Sequence, residues 1–234
     1  MKLSVIIPIY NENKYIDAVI KRIRSVQYPN SITHTEIIIV NDGSIDGSCK
    51  TLEKYHHTKN THIYNNEFNF GKGFSIRVGL SAVTGEIVLI QDADLEYDPS
   101  DYGRLLSPIL NNETSVVYGS RFLLQKFPCG MTYPNWFMNK VLCTLTNTLF
   151  QSSISDVATG YKVFKTEAIK EVELSGNRFN FCPEITAKLL RKGHVIKEVP
   201  ISYRARTIAE GKKIKWYDGI NAIWTLIRVY WTHT

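Results

Sequence analysis

The sequence has only four cysteines among 234 residues, and no two of them are spaced as a C-x-x-C metal-binding knuckle. Disulfide frameworks are typical of shorter, cysteine-rich secreted chains, so we expect free thiols in a reducing cytosol. The six histidines show no H-E-x-x-H spacing, which argues against the common zinc hydrolases. Low-complexity segments and repeats are also absent, so we expect an ordinary folded domain. The cysteines are Cys49, Cys129, Cys143 and Cys182.

Long hydrophobic runs are lacking as well. No segment reaches the roughly 20 apolar residues that a transmembrane helix requires. The apolar run at residues 3–9 contains Pro8 and is followed by polar residues, unlike a signal peptide. We therefore expect a cytoplasmic protein.

The formal net charge of +6 has several physical interpretations, so its position along the chain matters. Much of the positive charge lies between Lys188 and Arg228. Its possible partners are nucleic acid, an anionic membrane surface or phosphorylated small molecules. Nucleic acid is the weakest of the three, because the sequence contains no basic helix with base-reading residues and no aromatic stacking sheet.

Three uninterrupted apolar runs, at residues 5–7, 37–40 and 87–90, predict strands buried on both faces, and hence a parallel sheet. Helical spacing at residues 15–26, 49–56 and 74–83 places helices after them, which gives a β-α-β-α pattern. Asp98 and Pro99 predict the N-terminus of another helix, through residue 106. Beyond it we expect strands at 116–118, 163–164 and 196–203, and helices at 136–150 and 184–191.

Polar residues follow each of the first three strands, and ligands of open α/β sheets bind beyond the carboxyl ends of the strands. The sharpest group is Asp92, Asp94 and Glu96, whose spacing presents oxygens to one hard divalent cation. Mg²⁺ or Mn²⁺ bridging to a diphosphate is the natural occupant. The alternative is a solvated acidic turn, and the position after a buried strand favours the metal.

Two further polar segments fit a nucleotide site. Asp42, after the second strand, can accept hydrogen bonds from a base or a ribose, or can serve only as a turn residue. Lys72 lies between two glycines at the start of a helix, which suits a phosphate, although such a lysine is often just solvated. No glycine-rich phosphate loop follows the first strand, where residues 8–12 read P-I-Y-N-E, and this argues against a sugar-nucleotide nucleotidyltransferase.

Together these motifs resemble glycosyltransferase family 2, specifically the branch of dolichyl- or polyprenyl-phosphate mannose and glucose synthases. The resemblance covers most of the chain. It is carried by residues 4–12 (S-V-I-I-P-I-Y-N-E), 40–47 (V-N-D-G-S-I-D-G), 70–75 (F-G-K-G-F-S), 91–96 (Q-D-A-D-L-E), 119–121 (G-S-R), 156–162 (D-V-A-T-G-Y-K) and 198–203 (E-V-P-I-S-Y).

The resemblance implies a GT-A fold, with a mainly parallel central sheet and flanking helices. It implies one domain over residues 1–234, in which 1–120 bind the nucleotide-sugar, 121–211 form the acceptor side and 212–234 form a basic, aromatic C-terminal helix. The implied reaction is an inverting transfer of a hexose from a UDP- or GDP-sugar to a polyprenyl phosphate of the dolichyl type.

The resemblance also assigns the donor and metal residues. The cofactor would be Mg²⁺ or Mn²⁺ on Asp92, Asp94 and Glu96, and relatives often carry Gln at the position of Glu96. The donor would lie across Pro8, Tyr10, Glu12, Asp42, Lys72 and Asp92.

Two classes of acceptor require different residues. A lipid phosphate with a second pKa of about 6 is largely ionised at neutral pH, so it needs cations rather than a general base. The clamps would then be Arg121, Arg204, Lys212, Lys213 and Lys215, with Arg121 and Arg204 acting in catalysis beside Asp94. A sugar hydroxyl, as in glycan or surface-polysaccharide assembly, needs a carboxylate base, for which Asp156 and Glu184 are the candidates. Both carboxylates can equally be structural.

The C-terminal segment combines basic residues with an apolar stripe at helical spacing. Such a helix can lie in a membrane interface or pack on the core, and both hold if the stripe faces inward and the lysines face lipid. The corresponding expectation is peripheral association with the cytosolic face of a membrane. A non-catalytic nucleotide-binding or membrane-surface module remains an alternative, which the complete acidic group disfavours.

Overall fold

The computed structural model describes residues 1–206 and 216–232. The strands are β1 (Lys2–Ile9), β2 (His34–Asp42), β3 (Thr61–Asn66), β4 (Ile87–Ile90), β5 (Val116–Ser120), β6 (Lys162–Lys165) and β7 (Ile196–Pro200). The helices are α1 (Ile16–Ser25), α2 (Ser48–Glu53), α3 (Lys72–Ser81), α4 (Tyr102–Leu110), α5 (Tyr133–Phe150), α6 (Thr166–Lys170), α7 (Phe181–Arg191) and α8 (Trp216–Trp231).

The seven strands form one sheet in the order β3-β2-β1-β4-β6-β5-β7. Strand β6 pairs antiparallel with both β4 and β5, whereas β1 pairs parallel with β2 and β4, β2 with β3, and β5 with β7. The predicted mainly parallel sheet is therefore confirmed. The carboxyl ends of β1, β2, β4, β5 and β7 lie at one edge of this sheet, together with the chain that enters β6.

The central strands are apolar along their whole length because helices cover both faces of the sheet. In β1, Val5 and Ile7 pack into a core with α1 and α4, while Ile6 packs into a second core with α3 and α7. All three side chains are fully buried. Burial of one such side chain stabilises the fold by about 1.5–3 kcal/mol.

A third core joins α5, α7 and α8 in the C-terminal half of the chain. From α8, Ala222, Leu226 and Val229 are buried in it, whereas Trp224 and Trp231 on the same helix are exposed. The apolar stripe thus has an inward part and an outward part. Among the described residues, no helix combines the length and the apolar composition needed to cross a bilayer.

Three elements differ from the sequence-based expectation, and one of them is the short helix α6 at Thr166–Lys170, which is not predicted. Strand β3 is not predicted because its sequence, T-H-I-Y-N-N, is polar, and it lies at the sheet edge with Tyr64 exposed. The predicted strand at 196–203 ends at Pro200, and Tyr203 forms only an isolated bridge with Tyr97. The predicted cap is confirmed, since Asp98 accepts a hydrogen bond from Ser100 N and opens the 3₁₀ turn that leads into α4.

Candidate active site

The acidic segment that follows β4 turns sharply at the carboxyl edge of the sheet. Leu95 has a φ of 60°, and this left-handed residue lets the chain reverse between Asp94 and Glu96. Asp94 Oδ1 accepts a hydrogen bond from the backbone N–H of Glu96 at 3.1 Å. The turn therefore holds the two carboxylates close together at the mouth of the cleft.

Arg206 is the centre of the charged network. Its Nη2 lies 2.9 Å from Asp94 Oδ2, its Nη1 3.0 Å from Glu12 Oε2, and its Nε 3.4 Å from Glu96 Oε1. The backbone N–H of Arg206 also donates to Glu96 Oε1, at 2.9 Å. We call Glu12, Asp94 and Glu96 the carboxylate ring, because one guanidinium holds all three.

Asp92 belongs to a separate ion pair, with Lys72 Nζ 2.5 Å from Asp92 Oδ1. Burial would lower the pKa of Lys72, but the Asp92 carboxylate raises it above its usual value. Burial raises the pKa of Asp94 to about 7, the charges of Asp92 and Glu96 add to the rise, and Arg206 opposes it. The site is thus a partly buried cluster of four carboxylates that is paired with two basic side chains, Lys72 and Arg206.

The donor chemistry of this cluster fits a hard divalent cation. Asp92, Asp94 and Glu96 supply only oxygen ligands, the kind that Mg²⁺ and Mn²⁺ prefer. The Arg206 guanidinium already stands in as a cation between Asp94 and Glu96. Within residues 1–206 and 216–232, no three acidic, His or Cys side chains are close enough to form a ready metal site. The proposed ligands are instead divided between two ion pairs, with Asp92 on Lys72 and with Asp94 and Glu96 on Arg206.

The five residues that the resemblance assigns to the donor besides Asp92 all line the same cleft, which has a volume of about 400 Å³. The Asp42 carboxylate also fixes the loop before α3, because it accepts hydrogen bonds from Phe70 N at 3.1 Å and Gly71 N at 2.7 Å. The cleft thus brings together Pro8, Tyr10, Glu12, Asp42 and Lys72 with Asp92, Asp94 and Glu96.

The requirement for glycine at position 71 comes from backbone packing and not from a bound phosphate. Its φ is 105°, and a Cβ at this position would collide with the backbone of Asn177. The glycine therefore lets the loop before α7 lie against the start of α3. This contact fixes the helix from which Lys72 reaches Asp92.

The two carboxylates considered as a general base are both engaged in structural contacts. Asp156 is fully buried and accepts hydrogen bonds from Arg121 Nε at 2.7 Å and Nη2 at 2.6 Å. Glu184 is fully buried and accepts from the backbone N–H of Gly176 at 2.6 Å, with Lys188 Nζ 2.9 Å away. The interpretation of either residue as a base does not agree with these positions.

The predicted phosphate clamps are placed differently from one another. Arg121 lines the cleft, with its guanidinium 5.0 Å from the ring centre of Tyr203. Arg204 has an exposed side chain outside the cleft lining, and only its backbone N–H contacts the site, through Glu96 O at 3.1 Å. The guanidinium that contacts Asp94 and Glu96 in the cleft belongs to Arg206, not to Arg204. Lys212, Lys213 and Lys215 lie outside the described residues.

One wall of the cleft is apolar. It is formed by side chains of α5, of the residue segment just before α5 and of α8, and the two helices pack against each other. The apolar lining residues are Met131, Pro134, Met138, Leu142 and Ala222.

Sequence reasoning missed Arg206, Tyr203 and Lys162. Arg204 and Arg206 are two residues apart, so the alternation of an extended chain cannot separate them. Tyr203 donates a hydrogen bond to Glu96 Oε2 at 2.7 Å. Lys162 is fully buried, its Nζ donates to Val157 O at 3.0 Å, and burial lowers its pKa to about 8. A lysine inside the D-V-A-T-G-Y-K motif was the only signal for it.

The sheet order and the cleft define a GT-A transferase fold, and solved structures share it. A glucosyl-3-phosphoglycerate synthase from Mycobacterium tuberculosis, solved with Mn²⁺, UDP and phosphoglyceric acid, superposes with a TM-score of 0.75 at 18% identity. The superposition covers 98% of this chain and 78% of that one. A mannosyl-3-phosphoglycerate synthase from Rubrobacter xylanophilus gives a TM-score of 0.74 at 20% identity, over 98% of this chain and 72% of that one.

The family model for glycosyl transferase family 2 matches residues 4–173, so the chain belongs to this family. A dodecaprenyl-phosphate galacturonate synthase of Rhizobium johnstonii is 25% identical over 210 residues, which cover 88% of this chain and 60% of the relative. A dolichyl-phosphate beta-glucosyltransferase of Trichomonas vaginalis is 29% identical over 243 residues, covering 97% of this chain and 72% of the relative. The chain therefore spans about 60–70% of the length of these relatives.

Proposed function

We propose that this chain transfers a hexosyl group from a UDP- or GDP-sugar to the phosphate of a polyprenyl phosphate, with inversion at the sugar. Membership of the family and the two polyprenyl-phosphate sugar transferases among the relatives support this class of reaction. The observation that carries the proposal is a single cleft lined both by the acidic and basic side chains of the strand ends and by apolar side chains of α5 and α8. We assign the donor diphosphate to the charged part of this lining and the lipid chain to the apolar part.

The donor end would hold Mg²⁺ or Mn²⁺ through Asp92, Asp94 and Glu96. When bound there, the ion neutralises the charge that develops on the departing nucleoside diphosphate. Lys72 is placed to add a second positive charge, because it reaches into the cleft from the N-terminus of α3. Pro8, Tyr10 and Asp42 supply the remaining wall for the nucleoside.

The reaction needs a nucleophile and a cation but no general base. An oxygen of the acceptor phosphate attacks the anomeric carbon from the face opposite the diphosphate, the new carbon–oxygen bond forms, and the bond to the diphosphate breaks. The phosphate is ionised near pH 7, since its second pKa is about 6. This agrees with the burial of Asp156 and Glu184, which are committed to other contacts.

Arg121 is the residue best placed to orient the acceptor phosphate. A guanidinium has five N–H donors, and Asp156 binds two of them. The carboxylate fixes the plane of the guanidinium, and Tyr203 stacks against it. Such a fixed cation stabilises phosphate charge without having to reorganise during the reaction.

We further propose that the protein works at the cytosolic face of a membrane, where a polyprenyl phosphate is available. The exposed aromatic residues Trp224 and Trp231 on α8, and Tyr133 and Phe137 on α5, support this placement. Aromatic side chains on a helix that is not long enough to cross the bilayer can insert into the headgroup region.

The proposal is tested by incubating the purified chain with labelled UDP- and GDP-sugars, Mn²⁺ and one of two acceptors. One acceptor is a polyprenyl phosphate in detergent, and the other is the corresponding polyprenol, which offers only a hydroxyl. We expect labelled lipid only with the phosphate. Transfer to free sugar hydroxyls, with none to polyprenyl phosphate, would contradict the proposal and favour glycan assembly.

Two variants connect the activity to the acidic segment. Asp94→Asn should lower the transfer rate by at least about a hundredfold, because it removes a charge from the donor end of the cleft. Glu167→Gln changes an exposed carboxylate in α6, outside the cleft, and serves as the matched control. If Asp94→Asn transfers sugar at an undiminished rate, the reaction does not depend on a metal ion bound by Asp94.

A further inference from the structure

The contacts of Arg206 suggest a role beyond simple charge balance. Its side chain is only 11% exposed, and its guanidinium contacts all three members of the carboxylate ring. Glu12 follows β1, and Asp94 and Glu96 follow β4, so the guanidinium links two strand ends. This position overlaps the one that a divalent cation would take between Asp94 and Glu96.

The backbone around Arg206 is anchored independently of its side chain. Tyr203 forms a bridge with Tyr97, and the N–H of Arg204 donates to the backbone carbonyl of Glu96, so neither contact uses a carboxylate of the ring. The N–H of Arg206 donates to Glu96 Oε1, within the ring. The side chain of Arg206 can therefore leave the carboxylate ring while residues 203 and 204 remain at the edge of the cleft.

Charge and geometry together favour an exchange. The Arg206 guanidinium contacts three carboxylates at once, so its single positive charge is divided among them. A divalent cation carries twice the charge at one point and draws the oxygens closer together. A largely buried guanidinium that loses its carboxylates needs another anion, because an unpaired buried charge is strongly destabilising.

We propose that Arg206 and the divalent cation compete for Asp94 and Glu96, and that arrival of the cation with the donor moves the guanidinium from these carboxylates onto the diphosphate. In the absence of ligand, Arg206 is bound to the carboxylate ring and offsets part of its negative charge. In the donor complex, Arg206 becomes a diphosphate-binding residue. This inference rests on the proposed function, since it assumes a metal-assisted diphosphate donor.

The first test measures Mn²⁺ binding to the full chain without any nucleotide, from the loss of the free Mn²⁺ signal in electron paramagnetic resonance. Arg206→Gln should bind Mn²⁺ about tenfold more tightly than the unmodified protein, which corresponds to about 1.4 kcal/mol. Arg22→Gln, which changes an exposed arginine of α1, should leave the affinity unchanged. Equal or weaker binding by Arg206→Gln overturns the competition.

The second test observes Arg206 and a control arginine directly, by ¹⁵N NMR of their Nε–Hε groups. Mg²⁺ alone should shift or broaden the Arg206 resonance, and magnesium pyrophosphate should give it a new, protected position. The Arg77 resonance is the internal control, because its guanidinium binds Gly176 O at 2.8 Å and Asn177 Oδ1 at 2.7 Å and does not line the cleft. An Arg206 resonance that stays fixed while Mg²⁺ binding saturates contradicts the exchange.

These tests separate the inference from the proposed function. Both measure binding without turnover, so a protein that transfers sugar to some other acceptor still gives the predicted Mn²⁺ and Mg²⁺ results. Conversely, transfer to polyprenyl phosphate with unaltered Mn²⁺ affinity in Arg206→Gln leaves the proposed function intact and overturns the role of Arg206.

Discussion

Asp156 and Arg121 form a buried, bidentate ion pair just after β5. Nε and Nη2 of the arginine lie 2.7 and 2.6 Å from the two carboxylate oxygens. The backbone N–H of Arg121 donates to Asp156 Oδ2 as well, at 3.1 Å. Glu198 in β7 accepts a hydrogen bond from the backbone N–H of Asp156 at 2.9 Å. Asp156 is therefore a positioning residue, which holds the guanidinium of Arg121 in the cleft.

Breaking this pair should destabilise the protein without removing a proton acceptor. We expect Asp156→Asn to lower the free energy of unfolding by about 3 kcal/mol, because it leaves a buried guanidinium without its counter-charge. Urea unfolding measures this change. The transfer rate should fall, while the shape of its pH profile should stay the same. Loss of the acidic limb of that profile would restore the interpretation of Asp156 as a general base.

A double variant separates the structural role of the pair from its functional one. Arg121→Met with Asp156→Leu replaces both charges by apolar groups of similar volume, so most of the stability lost in Asp156→Asn should return. Transfer to the lipid phosphate should nevertheless be lost, because no guanidinium remains in that part of the cleft. A stable double variant with near-normal transfer contradicts the role of Arg121.

The strand ends were predictable from the sequence because each is a run of apolar residues followed at once by polar ones. Residues 87–90, followed by Asp92 and Asp94, are the clearest case, and the structure places both carboxylates in the cleft. Strand β3 was not predictable, because an edge strand is stabilised by its pairing with β2 and not by an apolar pattern. The same holds for the antiparallel direction of β6, which local sequence does not encode.

The choice between two arginines shows where prediction from sequence ends. Arg204 and Arg206 have the same chemistry and are two residues apart, so the alternation of an extended chain predicts the same face for both. The tertiary contacts of Glu96 decide between them, since the N–H of Arg204 binds its carbonyl and Arg206 binds its carboxylate. No periodicity in the sequence contains that information, because it depends on the position of a loop over 100 residues away.

Glu36 provides a pH-dependent prediction for stability. Burial raises its pKa, but hydrogen bonds from Lys2, Ser4 and Thr84 outweigh this effect and lower the pKa to about 2, against the usual 4.5. The folded state therefore binds fewer protons than the unfolded chain between these two values. The stabilisation is fully present above pH 4.5 and is lost as the pH falls towards 2.

We expect Glu36→Gln to lack this pH-dependent contribution. Between pH 6 and pH 3 the unmodified protein should lose about 2 kcal/mol more unfolding free energy than the variant, measured by urea unfolding at each pH. Glu167→Gln, at an exposed position, should follow the unmodified protein. Parallel curves for Glu36→Gln and the unmodified protein are inconsistent with a lowered pKa at Glu36.

The apolar wall formed by side chains of α5 and α8 leads to a prediction on the acceptor. Met138→Glu places a charge on this wall, so the KM for a long polyprenyl phosphate should rise by about tenfold or more, because lipid burial contributes about 0.8 kcal/mol per methylene. Binding of UDP or GDP, measured by calorimetry, should not change. Thr144→Glu adds the same charge at an exposed position of α5 outside the cleft lining. A similar rise in both variants argues against a lipid groove at Met138.

The exposed aromatic residues of α8 give the last prediction, which concerns the membrane surface. Trp224 is 65% exposed although Ala222 and Leu226 beside it are buried, so the helix anchors its inner face in the core and leaves an indole outside. An indole gains free energy at the headgroup level of a bilayer, where its ring is dehydrated and its N–H still finds a partner. Trp224→Ala should therefore reduce co-sedimentation with anionic phospholipid vesicles several-fold, with no loss of unfolding free energy.

Val195→Ala removes a similarly exposed apolar side chain just before β7, at the sheet edge opposite the cleft, and should leave vesicle binding unchanged. If both variants bind vesicles as well as the unmodified protein does, Trp224 contributes nothing to membrane association, and the lipid acceptor must reach the cleft without it.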